Sequence, residues 1–119
     1  LEGFKNKAEQ YISKSDIFVL TSKFEGLPNV LIESQKYGVP IISSNCPTGP
    51  NEILLNGELG ELFPVGNYFA LANKLSNFYK YKKILLKKSK DAKKYLGRFD
   101  SVKNSKKYYD LIFKYYEEL

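Results

Sequence analysis

Glu25 and Glu33 stand eight positions apart in the run Phe24-Glu25-Gly26-Leu27-Pro28-Asn29-Val30-Leu31-Ile32-Glu33. Proline lacks an amide hydrogen and has a preset φ, so a helix is expected to open with Pro28 as its first residue and Leu27 as its N-cap. Leucine has no side-chain acceptor, which leaves the backbone amides of Asn29, Val30 and Leu31 without a local partner. Free amides at the positive end of a helix dipole make a site for an anion. Gly26 removes a side chain where a ligand would approach the backbone. Glu33 lies about 7 Å further along the helix, at ~1.5 Å per residue, on the margin of the face formed by Val30, Leu31 and Tyr37. Its two carboxylate oxygens suit the two hydroxyls of a ribose. Glu25, on the turn, faces the opposite end of the same ligand. The implied ligand is elongated, with hydroxyls at each end and an anion in the middle, which is the shape of a nucleotide-sugar. Taken alone, these residues stop at an anion-binding crevice. An exposed loop acid at position 25 and an ordinary helix-surface acid at position 33 read the same way.

Other chemistries are limited by composition. Cys46 is the only cysteine among 119 residues and there is no histidine. One thiol cannot form an internal disulfide, which suits a reducing cytosol. The usual zinc sites and any histidine-based triad are absent from the chain, so no metal site is expected. Chemistry must come from carboxylates, backbone amides, a bound ligand or residues outside the chain. Twelve of the nineteen Lys and Arg fall between Lys80 and Lys107, against two acids, Asp91 and Asp100. A solvated helix face is the plain reading of such a run; an anionic membrane surface and nucleic acid are the alternatives. No apolar run approaches the ~20 residues of a membrane span. Position 1 is Leu, with no basic-then-apolar leader after it, so the chain is expected to start inside a longer protein.

The elements that must position the two acids can be read from periodicity. Asn6 to Lys14 reads as a short helix. Asp16 to Thr21 is a near-continuous β-branched and aromatic run, the pattern of a strand buried on both faces of a parallel sheet. A turn spans Ser22 to Leu27, and the helix from Pro28 to about Tyr37 is ended by Gly38 and Pro40. Val39 to Ser44 reads as a second strand and Pro50 to Leu55 as a short helix. There Gly49 is the N-cap and Glu52 supports the first turn. Gly60 to Pro64 reads as a third strand. Three helices follow, at about 67–79, 81–96 and 100–118, the last with Val102, Tyr109, Ile112, Phe113 and Tyr116 on one stripe. Strand, helix, strand, helix, strand, then helices is half of a doubly wound, Rossmann-like α/β sheet. The first strand is expected to have neighbours on both sides, supplied by an upstream half-domain. The chain divides into a motif-bearing α/β part, 1–66, and C-terminal helices, 67–119.

The segments Ser15 to Ser22, Phe24 to Glu33 and Tyr37-Gly38-Val39-Pro40-Ile41-Ile42 resemble glycosyltransferase family 4. Cys46 to Leu54 and Gly57 to Pro64 are similar to that family as well. The resemblance is specific from about Gly3 to Gly66 and extends beyond by layout. It implies a retaining enzyme of the GT-B fold that uses a nucleotide-sugar donor, UDP- or GDP-linked, and no metal or other cofactor. Its signature is two glutamates separated by seven residues, as Glu25 and Glu33 are. Carried over by position, Glu33 binds the ribose hydroxyls, and Glu25, the one residue of the set assigned to catalysis, binds and orients the donor sugar. Gly26, Leu27, Pro28, Asn29 and Val30 present backbone amides to sugar and diphosphate. The turn at Gly3-Phe4 is similar to the loop that approaches the nucleobase. The family's diphosphate-gripping basic residues and acceptor site lie upstream of Leu1. The resemblance therefore implies a donor-binding part that is inactive alone, in a cytoplasmic enzyme at the inner face of the membrane. Its acceptor would be a glycan or lipid-linked surface sugar, and nucleic acid would not be a partner. The alternatives are a non-catalytic nucleotide- or phosphate-binding module and a basic domain that associates with membrane or nucleic acid.

Overall fold

The computed structural model describes residues 3–118 and alternates helix and strand before ending in helices. The order is α1 (Ala8–Ile12), β1 (Phe18–Leu20), α2 (Asn29–Tyr37), β2 (Ile41–Ser44), α3 (Pro50–Ile53) and β3 (Glu61–Phe63). Then come α4 (Tyr68–Ser76), α5 (Phe78–Lys94), a 3-10 turn (Leu96–Phe99) and α6 (Ser101–Glu117). The strands form one parallel sheet in the order β1-β2-β3, with Phe18 opposite Ile41 and Ile42 opposite Glu61. The α/β class and the parallel sheet are as expected.

Side chains alternate across a strand, and this register sorts the sheet into two faces. Phe18, Leu20, Ile41 and Leu62 share one face and pack with Leu31 of α2 and with Ile53 and Leu54. Leu31, Ile53 and Leu54 are fully buried, each worth roughly 1.5–3 kcal/mol of transfer free energy. Val19, Ile42 and Glu61 share the other face, where the Glu61 carboxylate meets Lys74 of α4 and Lys88 of α5. Gly38 ends α2 in the left-handed conformation, φ 71°, and returns the chain to β2.

One helix boundary differs from expectation, and two features show what the described residues leave uncovered. Phe18, Val19 and Leu20 are half-buried, with a paired neighbour of β1 on one side only among the described residues; the second neighbour is expected from an upstream half-domain outside these 119 residues. The first C-terminal helix ends at Ser76, where Asn77 leaves helical geometry and donates its side-chain amide to the Asn73 carbonyl, so α5 begins at Phe78. The stripe on α6 faces solvent: Val102, Tyr109, Ile112, Phe113 and Tyr116 are all exposed, and α6 has no buried residue among those described.

Arg98 joins the C-terminal region to the sheet. Its guanidinium donates to the Glu52 and Ile53 carbonyls at 3.1 Å each and lies 4.8 Å from the Phe99 ring centroid. This cation on the last carbonyls of α3 adds to the bonds they accept from the Leu55 amide and the Gln35 side-chain amide.

Candidate functional site

The turn between β1 and α2 lies at the carboxyl end of the first strand, where open α/β sheets hold their ligands. The structure moves the helix start by one residue. Pro28 is the N-cap, with φ −70° and an extended ψ of 93°, and Asn29 is the first helical residue. The ring of Pro28 fixes φ but leaves ψ free, so it can take the extended ψ of a cap. The cap still has no side-chain acceptor. The Leu31 amide, expected to be free, instead donates to the Pro28 carbonyl at 3.0 Å. The amides of Asn29 and Val30 have no partner among the described residues. Two amides at the helix start, rather than the expected three, are thus free among the described residues.

Glu25 is half-buried and held from both ends. The Ser22 hydroxyl donates to Glu25 Oε1 at 2.6 Å, and the Thr48 hydroxyl donates to the Glu25 backbone carbonyl. Behind this pair, fully buried Ser44 donates to the Ser22 carbonyl at 2.6 Å. Gly49, at φ 91°, brings the loop after β2 against Gly26 and Pro28. A β-carbon on Gly26 would meet nothing within 4 Å. Protein packing therefore does not require glycine at Gly26, whereas Gly49 is required by both its φ and its neighbours.

Glu33, on the first turns of α2, is exposed, and no hydrogen bond or ion pair engages it among the described residues. Leu27 is 51% exposed beside the free amides, and Pro28 is buried beneath it. Phe4, read as a nucleobase neighbour, is 92% exposed on the N-terminal segment, and no hydrogen bond links it to the turn. Gly49 is the N-cap of α3 and Glu52 lies in its first turn, as expected. No group of three or more metal-ligating side chains occurs among the described residues.

Ser22, Ser44 and Thr48 were not legible as site residues. The only available signal was a hydroxyl residue near the end of each of two successive parallel strands. Glu61 lies on the opposite face of the sheet, between Lys74 and Lys88. Burial raises its pKa, but hydrogen bonds and charge from Lys74 and Lys88 outweigh burial and hold it below 4.5.

The family model described as glycosyl transferases group 1 matches residues 2–97. A Campylobacter jejuni relative, N-acetylgalactosamine-N,N'-diacetylbacillosaminyl-diphospho-undecaprenol 4-alpha-N-acetylgalactosaminyltransferase, is 31% identical over 87% of this chain and 28% of its own length. The Salmonella typhimurium lipopolysaccharide 1,6-galactosyltransferase is 43% identical over 58 residues, covering 49% of this chain and 16% of its own. Anabaena HepE, solved in complex with UDP, superposes with a TM-score of 0.84 at 22% identity, over 95% of this chain and 31% of its own. The chain thus spans less than a third of the length of each of these proteins. The shared fold is of the GT-B type. The chain belongs to the glycosyl transferases group 1 family.

Proposed function

We propose that the chain supplies the donor-nucleotide site of a retaining, family 4 type glycosyltransferase. The enzyme moves a hexose-type sugar from a nucleotide diphosphate to a surface-glycan or lipid-linked acceptor. One observation carries this reading. Two unpartnered amides at an uncapped helix start lie beside a fixed carboxylate, with open space above Gly26. In the reaction the bond between the anomeric carbon and the diphosphate breaks, an acceptor hydroxyl oxygen bonds that carbon in its place, and the hydroxyl proton leaves with the diphosphate. Negative charge grows on the departing diphosphate, where the Asn29 and Val30 amides and the dipole of α2 oppose it. Glu25 orients the sugar, and exposed Glu33 accepts from the ribose hydroxyls. HepE has also been solved with UDP-glucose, and several relatives carry names from lipopolysaccharide or polysaccharide biosynthesis, which favours this donor and acceptor class.

The relatives are about three times as long as this chain, and on this reading the basic groups for the diphosphate and the acceptor site belong to sequence outside these 119 residues. On this reading the chain binds donor without turnover, and the whole enzyme works in the cytoplasm at the inner membrane face. The test is calorimetry of the chain with UDP, GDP and their sugar conjugates. Glu33→Ala should weaken ribose-containing ligands, and 2′,3′-dideoxy analogues should bind the wild type poorly. If Glu33→Ala binds as the wild type does and the dideoxy analogues bind as well as their parents, the site is misassigned.

A further inference from the structure

Glu25 sits on a turn with little packing of its own. Phe24 is 82% exposed and Leu27 51% exposed, while Gly26 has no β-carbon to anchor. Apolar contact therefore cannot fix the turn, and a glutamate side chain left alone samples many rotamers. The structure nevertheless fixes it at two points. Thr48, from the loop after β2, holds the Glu25 backbone carbonyl, and Ser22 holds the carboxylate through Oε1. Ser22 is itself tied to the sheet through its carbonyl by Ser44, a residue with no solvent exposure. A carboxylate accepts and does not donate, so Ser22 must supply the proton of that bond. Oε2 has no partner among the described residues.

We propose that Thr48 and Ser22 are positioning residues for Glu25. They fix its backbone and carboxylate before any ligand arrives and leave Oε2 as the oxygen offered to the donor sugar. The inference rests on the donor-site reading above and adds which atom is presented and what holds it. The ordering cost of the carboxylate falls on folding rather than on binding, which is how a preorganised group strengthens recognition. The two roles are separable. Thr48 controls where the turn lies, whereas Ser22 controls only which way the carboxylate points. Neither touches the diphosphate amides, so loss of either should affect the sugar more than the free nucleotide.

The test combines nitrogen-15 backbone relaxation of the full chain with calorimetry for Thr48→Val, Thr48→Ser and Ser22→Ala. Thr48 is exposed and outside the core, so its variants keep the fold. In the wild type and in Thr48→Ser, the Glu25 and Gly26 amides should give order parameters near ~0.85, and in Thr48→Val below ~0.6. Ser22→Ala should leave those amides rigid. Both Ser22→Ala and Thr48→Val should weaken UDP-glucose, UDP-galactose or GDP-mannose by roughly three- to tenfold, the loss of one hydrogen bond, with UDP and GDP unchanged. The proposal is overturned if Thr48→Val leaves the turn as rigid as the wild type. It is equally overturned if the variants weaken free diphosphates and sugar-nucleotides alike. A turn that loosens in Thr48→Val while the wild type binds no nucleotide supports the clamp and removes the donor assignment.

Discussion

Gly49 lies so close to Gly26 that a β-carbon on Gly49 would overlap the Gly26 carbonyl oxygen and stand 2.5 Å from Pro28 Cδ. The loop after β2 is therefore the floor on which the acidic turn rests. Gly49→Ala should cost roughly 1–3 kcal/mol, from left-handed backbone strain plus the displaced turn. Gly26→Ala meets no protein atom, so its stability should stay within about 0.5 kcal/mol of the wild type, while donor binding weakens. Urea unfolding and calorimetry on the two variants measure these effects separately. Equal stability losses would contradict the division of roles.

The way these two glycines differ marks how far the sequence could be read. Periodicity was enough for the β1-α2-β2 order, and Pro28, Gly38 and Gly49 marked helix ends to within a residue. Those signals are local. The Thr48–Glu25 and Ser44–Ser22 bonds join residues 23 and 22 positions apart and exist only once two parallel strands lie side by side. The same limit applies to Arg98, whose carbonyl partners lie 45 and 46 positions away. The apolar run at 16–21 matched a buried strand, yet solvent contact depends on what pairs with its far edge. The stripe on α6 was correctly periodic, but periodicity does not say whether anything covers it.

Glu61 makes stability depend on pH. Its folded-state pKa is depressed below 4.5 by Lys74 and Lys88 against the opposing effect of burial. A depressed carboxylate contributes stability that is fully present above its unfolded value and is lost as pH falls through the folded one. Wild type should therefore lose urea resistance as pH drops below 4.5, and Glu61→Gln should show a flatter profile there. Parallel profiles for the two proteins would mean the ion pairs do not set the acid limb.

Arg98 should be the most costly single surface-derived residue to replace. Two charge-assisted bonds to Glu52 and Ile53 and a ring contact with Phe99 would be lost in Arg98→Ala. The expected loss is about 1–2 kcal/mol in urea unfolding, because two charge-assisted bonds go while the Glu52 and Ile53 carbonyls keep the Leu55 amide and the Gln35 side-chain amide as donors. Arg98→Lys should recover only part, since an ammonium cannot span two carbonyls as a planar fork does.

The outer part of α6 should be dispensable for folding. Deleting residues 106–119 keeps the Asp100 cap and the Asn104 bond to the Arg98 carbonyl, and removes side chains that are exposed among the described residues. The unfolding free energy should change by less than about 0.5 kcal/mol. A larger loss would show that the tyrosine-rich face supports the core.

The most direct test of the central claim is a nuclear magnetic resonance titration of the nitrogen-15-labelled chain with UDP and a UDP-sugar. The Asn29 and Val30 amides should shift with UDP alone, and Glu25 and Gly26 should shift further only when the sugar is attached. Shifts confined to the lysine-rich α5 and abolished by modest salt would mean that phosphate is being held by surface charge, and the helix start at Pro28 would not be the donor site.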